Sequence, residues 1–182
     1  MKSTILLAVG LAAGSAGVGE TLATAQTDTP LAHITNSFHF AVPASLSRAS
    51  ALFGPEGERC WAGDHWNPVF LYPQPAKDVE GAVFTVQHGP HQSVWVNTLF
   101  DPAGGRMQYV SFLPDTLVFT VDVRLSALTS STTKVEVTYV RTALNAAANE
   151  DVLALSKRDG ENGPEWQQAI EHCLAAERKS EH

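Results

Sequence analysis

Two histidines, His88 and His91, flank Gly89-Pro90 in the stretch FTVQHGPHQSVWVNTLF. On facing strands they could supply two ligands to a metal ion, or one could act as a general base. A zinc site needs three or four ligands, however, and no other Cys or His has an obvious position for the third. Gly-Pro between two alternating apolar runs is typical of a hairpin turn. We therefore predict a hairpin tip at a pocket rim, with no metal ion and with both histidine pKa values near the ordinary 6.5 or so.

The segment GDHWNP contains an adjacent acid and base, Asp64 and His65. A carboxylate can orient an imidazole for general-base catalysis, but neighbours in sequence rarely point at each other, and Gly, Asn and Pro favour a turn here. Cys60 lacks the His and Asn context of a cysteine nucleophile. The sequence contains no phosphate-binding loop, dinucleotide fingerprint or nucleophile elbow. We therefore expect no cofactor and assign no catalytic residue.

Turn spacing predicts which strand positions share a face. A two-residue turn at Gly89-Pro90 pairs Phe84 with Trp95. A four-residue loop at 102–105 then pairs Trp95 with Phe112, and a two-residue turn at Pro114-Asp115 pairs Phe112 with Leu117. The resulting inward face is largely Val, Leu and Phe. It is predicted to comprise Phe84, Val86, His88, His91, Ser93, Trp95, Asn97, Leu99, Val110, Phe112, Leu117, Phe119, Val121, Val123, Val135, Val137, Tyr139 and Arg141.

The polar members of this face are His88, Ser93, Asn97, Tyr139 and Arg141, with His91 at the tip. Buried polar groups need hydrogen-bond partners, so they could pair with one another or with the backbone. Alternatively they line a cavity between sheet and helix, because a mostly apolar cavity with a few convergent polar groups is the usual form of a small-molecule site. Sequence alone leaves both interpretations open.

The order of elements predicts an α+β fold. ITNSFHFAV alternates as a strand, PASLSRASALFG and EGERCWAG suggest two short helices, and NPVFLYPQP suggests an edge strand. Five further strands follow, separated by turn residues. The tail is helical, with an interruption at DGENGP near residues 159–163 and an apolar stripe that includes Trp166 and Ile170.

The N-terminus, MKSTILLAVGLAAGSAGVGETLATAQ, has a positive start, a short apolar run and an Ala-Thr-Ala site before Gln26. This pattern predicts a signal peptide at residues 1–25 and export to the periplasm or the extracellular space. The apolar run is shorter than the roughly 20 residues of a spanning helix, so we expect no integral membrane anchor after cleavage. Residues 26–182 are predicted to form one domain.

The charge of the chain bears on which molecules it can bind, and its cysteines bear on whether it can form a disulfide. The net charge is −7 with no basic stripe, which argues against nucleic-acid binding. Cys60 and Cys173 are the two cysteines. Export permits a disulfide between them, but burial as two free thiols is equally compatible with the sequence.

The chain resembles the START-like, or Bet v 1-like, helix-grip superfamily, which includes the SRPBCC and polyketide cyclase/dehydrase proteins. The resemblance rests on FHFAVPASLSRASALFG, on WNPVF before the second strand, on the strand meander and on GPEWQQAIEHCLAA as the closing helix. It implies a curved antiparallel sheet, two short helices after the first strand and an interrupted C-terminal helix packed on the concave face. It carries over no catalytic residue.

The resemblance also implies a cavity that holds a small hydrophobic ligand. On the predicted face, the ligand-binding candidates are Trp95, Asn97, Phe112, Phe119, Tyr139, Arg141, Trp166 and His88. The aromatic residues would supply apolar contacts, and Asn97, Tyr139 and Arg141 would orient the polar end of the ligand. Two alternatives remain: an enzyme of the cyclase/dehydrase or hydrolase kind that uses His88, Tyr139 or Arg141, and a structural or interaction module with a filled core.

Overall fold

One seven-stranded antiparallel sheet dominates the computed structural model, which describes residues 29–180. The predicted signal peptide, residues 1–25, lies outside the described residues. The strand order is β1-β7-β6-β5-β4-β3-β2. The strands are β1 His33–Val42, β2 Val69–Tyr72, β3 Val83–His88, β4 His91–Asp101, β5 Arg106–Leu113, β6 Leu117–Thr129 and β7 Thr132–Ala143.

Short helices follow β1, and longer ones follow β7. Ser45 caps the first by accepting a hydrogen bond from the Arg48 amide, and Asn145 caps a 3₁₀ turn in the same way before the C-terminal pair. The helices are α1 Leu46–Ser50, a 3₁₀ turn at Gly57–Cys60, a second 3₁₀ turn at Ala146–Ala148, α2 Asn149–Asp159 and α3 Gly163–Ser180. The predicted α+β architecture is confirmed, including the break before Gly163.

The C-terminal helix packs against the sheet through its apolar stripe. Ile170, Cys173 and Leu174 are buried in the same core as Phe38 and Phe40 of β1. Trp166 meets Phe38 edge to face, with ring centroids 5.3 Å apart. None of the helices within residues 29–180 is both long and apolar enough to cross a membrane.

Strand register agrees with the prediction at both ends of the meander. His88 faces His91 across a two-residue turn in which Gly89 has a φ of 58°, a conformation that glycine adopts without steric cost. The predicted hairpin tip is therefore confirmed. Further along, Phe119 pairs with Arg141 and Val121 pairs with Tyr139, so the inward positions of β6 and β7 are also as predicted.

The predicted face of β5 is wrong by one residue. A bulge at Thr98 shifts β4 so that Asn97 pairs with Tyr109 and Trp95 pairs with Ser111. The turn after β5 spans three residues instead of two, because Leu113 pairs with Leu117. These two irregularities cancel beyond β5, which is why β6 and β7 still face as predicted.

Cys60 and Cys173 are joined in a disulfide, with Cα atoms 5.7 Å apart. The bond connects the 3₁₀ turn Gly57–Cys60 to α3. Within residues 29–180, the group of potential metal ligands is Cys60, Cys173 and Glu177, but the two sulfur atoms of that group are bonded to each other. The disulfide therefore holds one short turn against the helix that closes the core.

Candidate ligand-binding cavity

A cavity of about 440 Å³ lies between the sheet and the helices, within the range of small-molecule sites. Strands β3 to β7 supply one wall. The opposite wall comes from the 3₁₀ turn Gly57–Cys60, the loop after it, the end of α2 and the start of α3. Its exposed lining residues, which we call the rim, are His65, His88, Arg158 and Glu165.

Seven tryptophan, tyrosine and phenylalanine rings form part of the cavity wall. The chain has four tryptophans, and all four line the cavity: Trp61, Trp66, Trp95 and Trp166. Trp61 and Trp166 lie 4.9 Å apart between ring centroids, and Trp66 meets Trp95 edge to face at 5.4 Å. Phe119 lies 5.1 Å from Trp95. Such a wall favours a flat, apolar ligand that can contact several rings at once.

The indole N–H groups of three tryptophans have partners in the protein. Trp61 donates to the Leu52 carbonyl at 2.7 Å, Trp66 donates to the Pro55 carbonyl at 2.9 Å, and Trp95 donates to the Ser93 hydroxyl at 2.8 Å. These bonds fix the ring orientations before any ligand arrives. A preformed wall reduces the entropy lost on binding.

Glu58 places a carboxyl group in this aromatic wall. It sits in the 3₁₀ turn, whose backbone is held by a bond from the Glu58 amide to the Gly54 carbonyl at 2.8 Å. The turn is also fixed by Asp78, whose carboxylate accepts from the amides of Glu56 and Gly57 at 2.9 and 3.2 Å. Within the described chain, the Glu58 carboxyl has no hydrogen bond and no ion pair. Its two carboxyl oxygens are therefore available to pair with a ligand.

Burial raises the pKa of Glu58 well above its ordinary value of 4.5, and the nearby Asp78 carboxylate raises it further. Burial also raises the pKa of Tyr109 and of Tyr139, which line the same cavity. The Tyr109 hydroxyl donates to the Phe53 carbonyl, whereas the Tyr139 hydroxyl makes no hydrogen bond within residues 29–180. Two potential ligand contacts thus remain open, one acidic and one phenolic.

The raised pKa of Glu58 predicts a pH-dependent effect on stability. The folded protein holds this proton more tightly than the unfolded chain, so the associated stability is complete below pH 4.5 and is lost as pH rises through the folded pKa. Glu58→Gln should therefore raise the melting temperature relative to wild type at neutral pH but not at pH 4 or so. Calorimetry across this range would measure it. Glu80→Gln, on an exposed loop, is the control, and parallel profiles for wild type and Glu58→Gln would contradict the assignment.

His88 and His65 lie at the rim, where His88 Nε2 is 3.1 Å from the Ser93 hydroxyl oxygen. Partial burial lowers the pKa of His88, and the nearby His65 lowers it further. The expectation of an ordinary pKa for His88 is therefore wrong, because the ring is partly buried at the rim and lies near a second imidazole. His91, its partner across the turn, is exposed and does not line the cavity.

Arg141 forms a buried ion pair with Asp159 at the end of α2. Its Nε and Nη2 atoms lie 2.5 and 2.7 Å from the two carboxylate oxygens. The guanidinium carbon lies 4.3 Å from the Phe119 ring centroid and 4.9 Å from that of Tyr139. Two donors are thus already engaged and the charge is neutralised, so the arrangement disfavours the predicted role of Arg141 as the group that orients a ligand.

Solved structures share this arrangement of sheet and helices. Norcoclaurine synthase from Thalictrum flavum, in complex with dopamine and hydroxybenzaldehyde, superposes with a TM-score of 0.58 at 8% identity, covering 94% of this chain and 98% of that one. An uncharacterized protein from Rhizobium leguminosarum gives 0.55 at 15% identity, covering 81% and 97%. A protein from Bacillus thuringiensis gives 0.51 at 19%, covering 76% and 98%.

The chain has the Bet v 1-like helix-grip fold. These similarities confirm the fold inferred from the order of elements. No protein-family model and no curated protein sequence matches the chain. The helix-grip assignment therefore rests on architecture and carries no residue roles with it.

The helix-grip cavity gathers six of the eight residues predicted to bind a ligand. They are His88, Trp95, Phe119, Tyr139, Arg141 and Trp166. Asn97 and Phe112 do not line it. Asn97 is fully buried beneath the loop before β3, where its amide donates to the Val79 carbonyl at 3.2 Å. Phe112 is 44% exposed on the opposite face of the sheet, because the bulge at Thr98 inverts the orientation of β5.

The predicted ligand-binding residues omit the acidic members of the helix-grip cavity, Glu58, Asp159 and Glu165, together with Tyr109 and His65. Tyr109 is omitted because the predicted register lacks the bulge at Thr98. His65 is omitted because the adjacent Asp64 and His65 are weighed as an acid–base pair and then interpreted as part of a turn. A signal for Glu58 did exist: it stands two residues before Cys60, which the disulfide joins to Cys173 of α3. That signal required the disulfide to be known.

Proposed function

We propose that the protein is exported and binds a small hydrophobic or aromatic ligand in its helix-grip cavity, with residues 26–182 as the mature domain. The observation that carries the binding proposal is the cavity of about 440 Å³ with all four tryptophans in its wall. A filled core would leave no such volume among rings already fixed by hydrogen bonds. Dopamine and hydroxybenzaldehyde in the norcoclaurine synthase structure supply a precedent within the fold.

Export is supported by two independent features. The N-terminal pattern predicts cleavage before Gln26. The Cys60–Cys173 disulfide suits an oxidising compartment, since such bonds rarely persist in the cytosol.

Filling the cavity should abolish binding without unfolding the protein. Val121 points into the cavity from β6, and Val121→Phe adds a ring there at an overpacking cost of about 1–3 kcal/mol. An uncharged apolar fluorescent probe such as N-phenyl-1-naphthylamine, titrated while tryptophan fluorescence is monitored, should bind the wild type and lose at least about tenfold in affinity in the variant. The readout is direct because all four tryptophans border the site.

The matched control is Val140→Phe, the same substitution on the outer face of β7. It should bind the probe as the wild type does. Equal loss in both variants, or equal binding in both, would contradict a ligand site in this cavity.

A second candidate is an enzyme of the cyclase/dehydrase or hydrolase kind that performs acid–base chemistry on the bound ligand. It is favoured by one observation: the cavity contains a carboxyl with a raised pKa, Glu58, and an imidazole with a lowered pKa, His88. Opposed shifts of this kind are typical of acid–base sites. Incubation with the ligand recovered from native protein should then yield a product of different mass, and Glu58→Gln should abolish that conversion.

A further inference from the structure

The interior of the cavity carries one carboxyl, that of Glu58, which no cationic side chain within residues 29–180 pairs with. Arg141 and Asp159 cancel each other, and Arg158 and Glu165 at the rim are exposed and opposite in sign. Glu58 has no cationic nitrogen within 4 Å anywhere in residues 29–180. The nearest basic side chain in sequence, Arg59, points away to the Asn67 side chain and the Pro68 carbonyl.

The groups around Glu58 make the electrostatic potential at its carboxyl more negative, and no cation within residues 29–180 pairs with it. The Asp78 carboxylate, which accepts hydrogen bonds from the amides of Glu56 and Gly57, interacts with Glu58 electrostatically. Tyr109 and Tyr139 also interact electrostatically with Glu58. An anionic ligand group would be repelled at this position. A positively charged group would gain from both carboxylates.

The aromatic wall suits a cation as well as an apolar ring. Trp61 adjoins Glu58 along the turn and packs on Trp166. The same cavity already holds one cation in this manner, since the Arg141 guanidinium pairs with Asp159 while lying over the rings of Phe119 and Tyr139. A carboxylate combined with ring faces is the recognition chemistry of amines and other organic cations.

We propose that the ligand is an aromatic or hydrophobic amine whose ammonium group pairs with Glu58. This inference rests on the proposed binding function and names the chemical class of its ligand. The amine would displace cavity water from the Glu58 carboxyl, and its apolar body would lie against Trp61, Trp95 and Trp166. Neither Arg141 nor the rim would be needed to recognise charge.

Three probes that share one ring system separate the possibilities: tryptamine, tryptophol and indoleacetate, which end in an ammonium, a hydroxyl and a carboxylate. Isothermal calorimetry on the mature protein should show tryptamine binding roughly tenfold or more tighter than tryptophol, with indoleacetate weakest, because a charge-assisted bond is stronger than a neutral one. Glu58→Gln should remove the preference for tryptamine while keeping the affinity for tryptophol. Glu80→Gln, which removes an exposed charge outside the cavity, should change neither.

Retained binding of tryptophol by Glu58→Gln shows that the variant is folded. If wild type binds tryptophol or indoleacetate as tightly as tryptamine, or if Glu58→Gln keeps the preference, the amine inference is overturned while the binding function stands. If none of the three probes binds, the amine inference is again overturned. The binding function is contradicted as well only if the wild type also fails to bind the apolar probe that is used to test Val121→Phe.

Discussion

Replacing Cys60 and Cys173 together with serine is expected to lower the free energy of unfolding by about 4–5 kcal/mol. The disulfide closes a loop spanning 113 positions of sequence, so its loss restores a large conformational entropy to the unfolded chain. Denaturant titration of the mature protein, with and without a reductant, would measure the change. The reduced wild type should match the double variant.

The same change should weaken ligand binding. Glu58 and Trp61 lie on or beside the turn that the disulfide ties to α3, and Trp61 packs on Trp166 of that helix. A difference in stability below about 1 kcal/mol would mean that packing alone holds the turn, and the disulfide would then be incidental to the cavity.

The second large effect is expected at the Arg141–Asp159 ion pair. Asp159→Asn should cost about 3–5 kcal/mol, because it leaves a buried guanidinium without its counter-charge. Arg141 is 8% exposed and Asp159 is 3% exposed, so water does not compensate. Thermal or denaturant unfolding would report the loss. Asp151→Asn, on the exposed first turn of α2, is the control and should cost a few tenths of a kcal/mol or so.

Removing both charges distinguishes a structural pair from a ligand-binding arginine. The double variant Arg141→Met, Asp159→Leu should recover most of the lost stability, since apolar replacements of a buried pair are often neutral or better. If Asp159→Asn proves nearly neutral, Arg141 is not held as the geometry indicates, and its predicted role in orienting a ligand would return to consideration.

The fold was accessible from sequence because alternation and turn chemistry are local signals. Phe38 and Phe40 on β1, the Gly89-Pro90 turn and the stripe around Ile170 all predict their elements correctly. The errors lie where the backbone departs from regular geometry. No glycine stands at Thr98 to indicate the bulge in the sequence. The turn after β5 adopts its positive φ at Asp115 instead of at a glycine.

The cavity was partly predictable for the same reason. Trp95, Phe119 and Tyr139 follow from strand alternation, which fixes their face once the turns are counted. Glu58 could not be placed in that way, because its direction is set by two long-range contacts: the bond from Cys60 to Cys173 and the capping of the turn by Asp78. Neither contact leaves a periodic trace in the sequence.

Native mass spectrometry of the protein purified from its natural host tests the central proposal, that the cavity holds a small ligand, most directly. We expect a polypeptide that begins at or near Gln26 together with an added small-molecule mass that is released on denaturation. Val121→Phe should lack that added mass, and Val140→Phe should retain it. Wild-type protein that carries no added mass, and that takes up none from a host extract, would contradict the account.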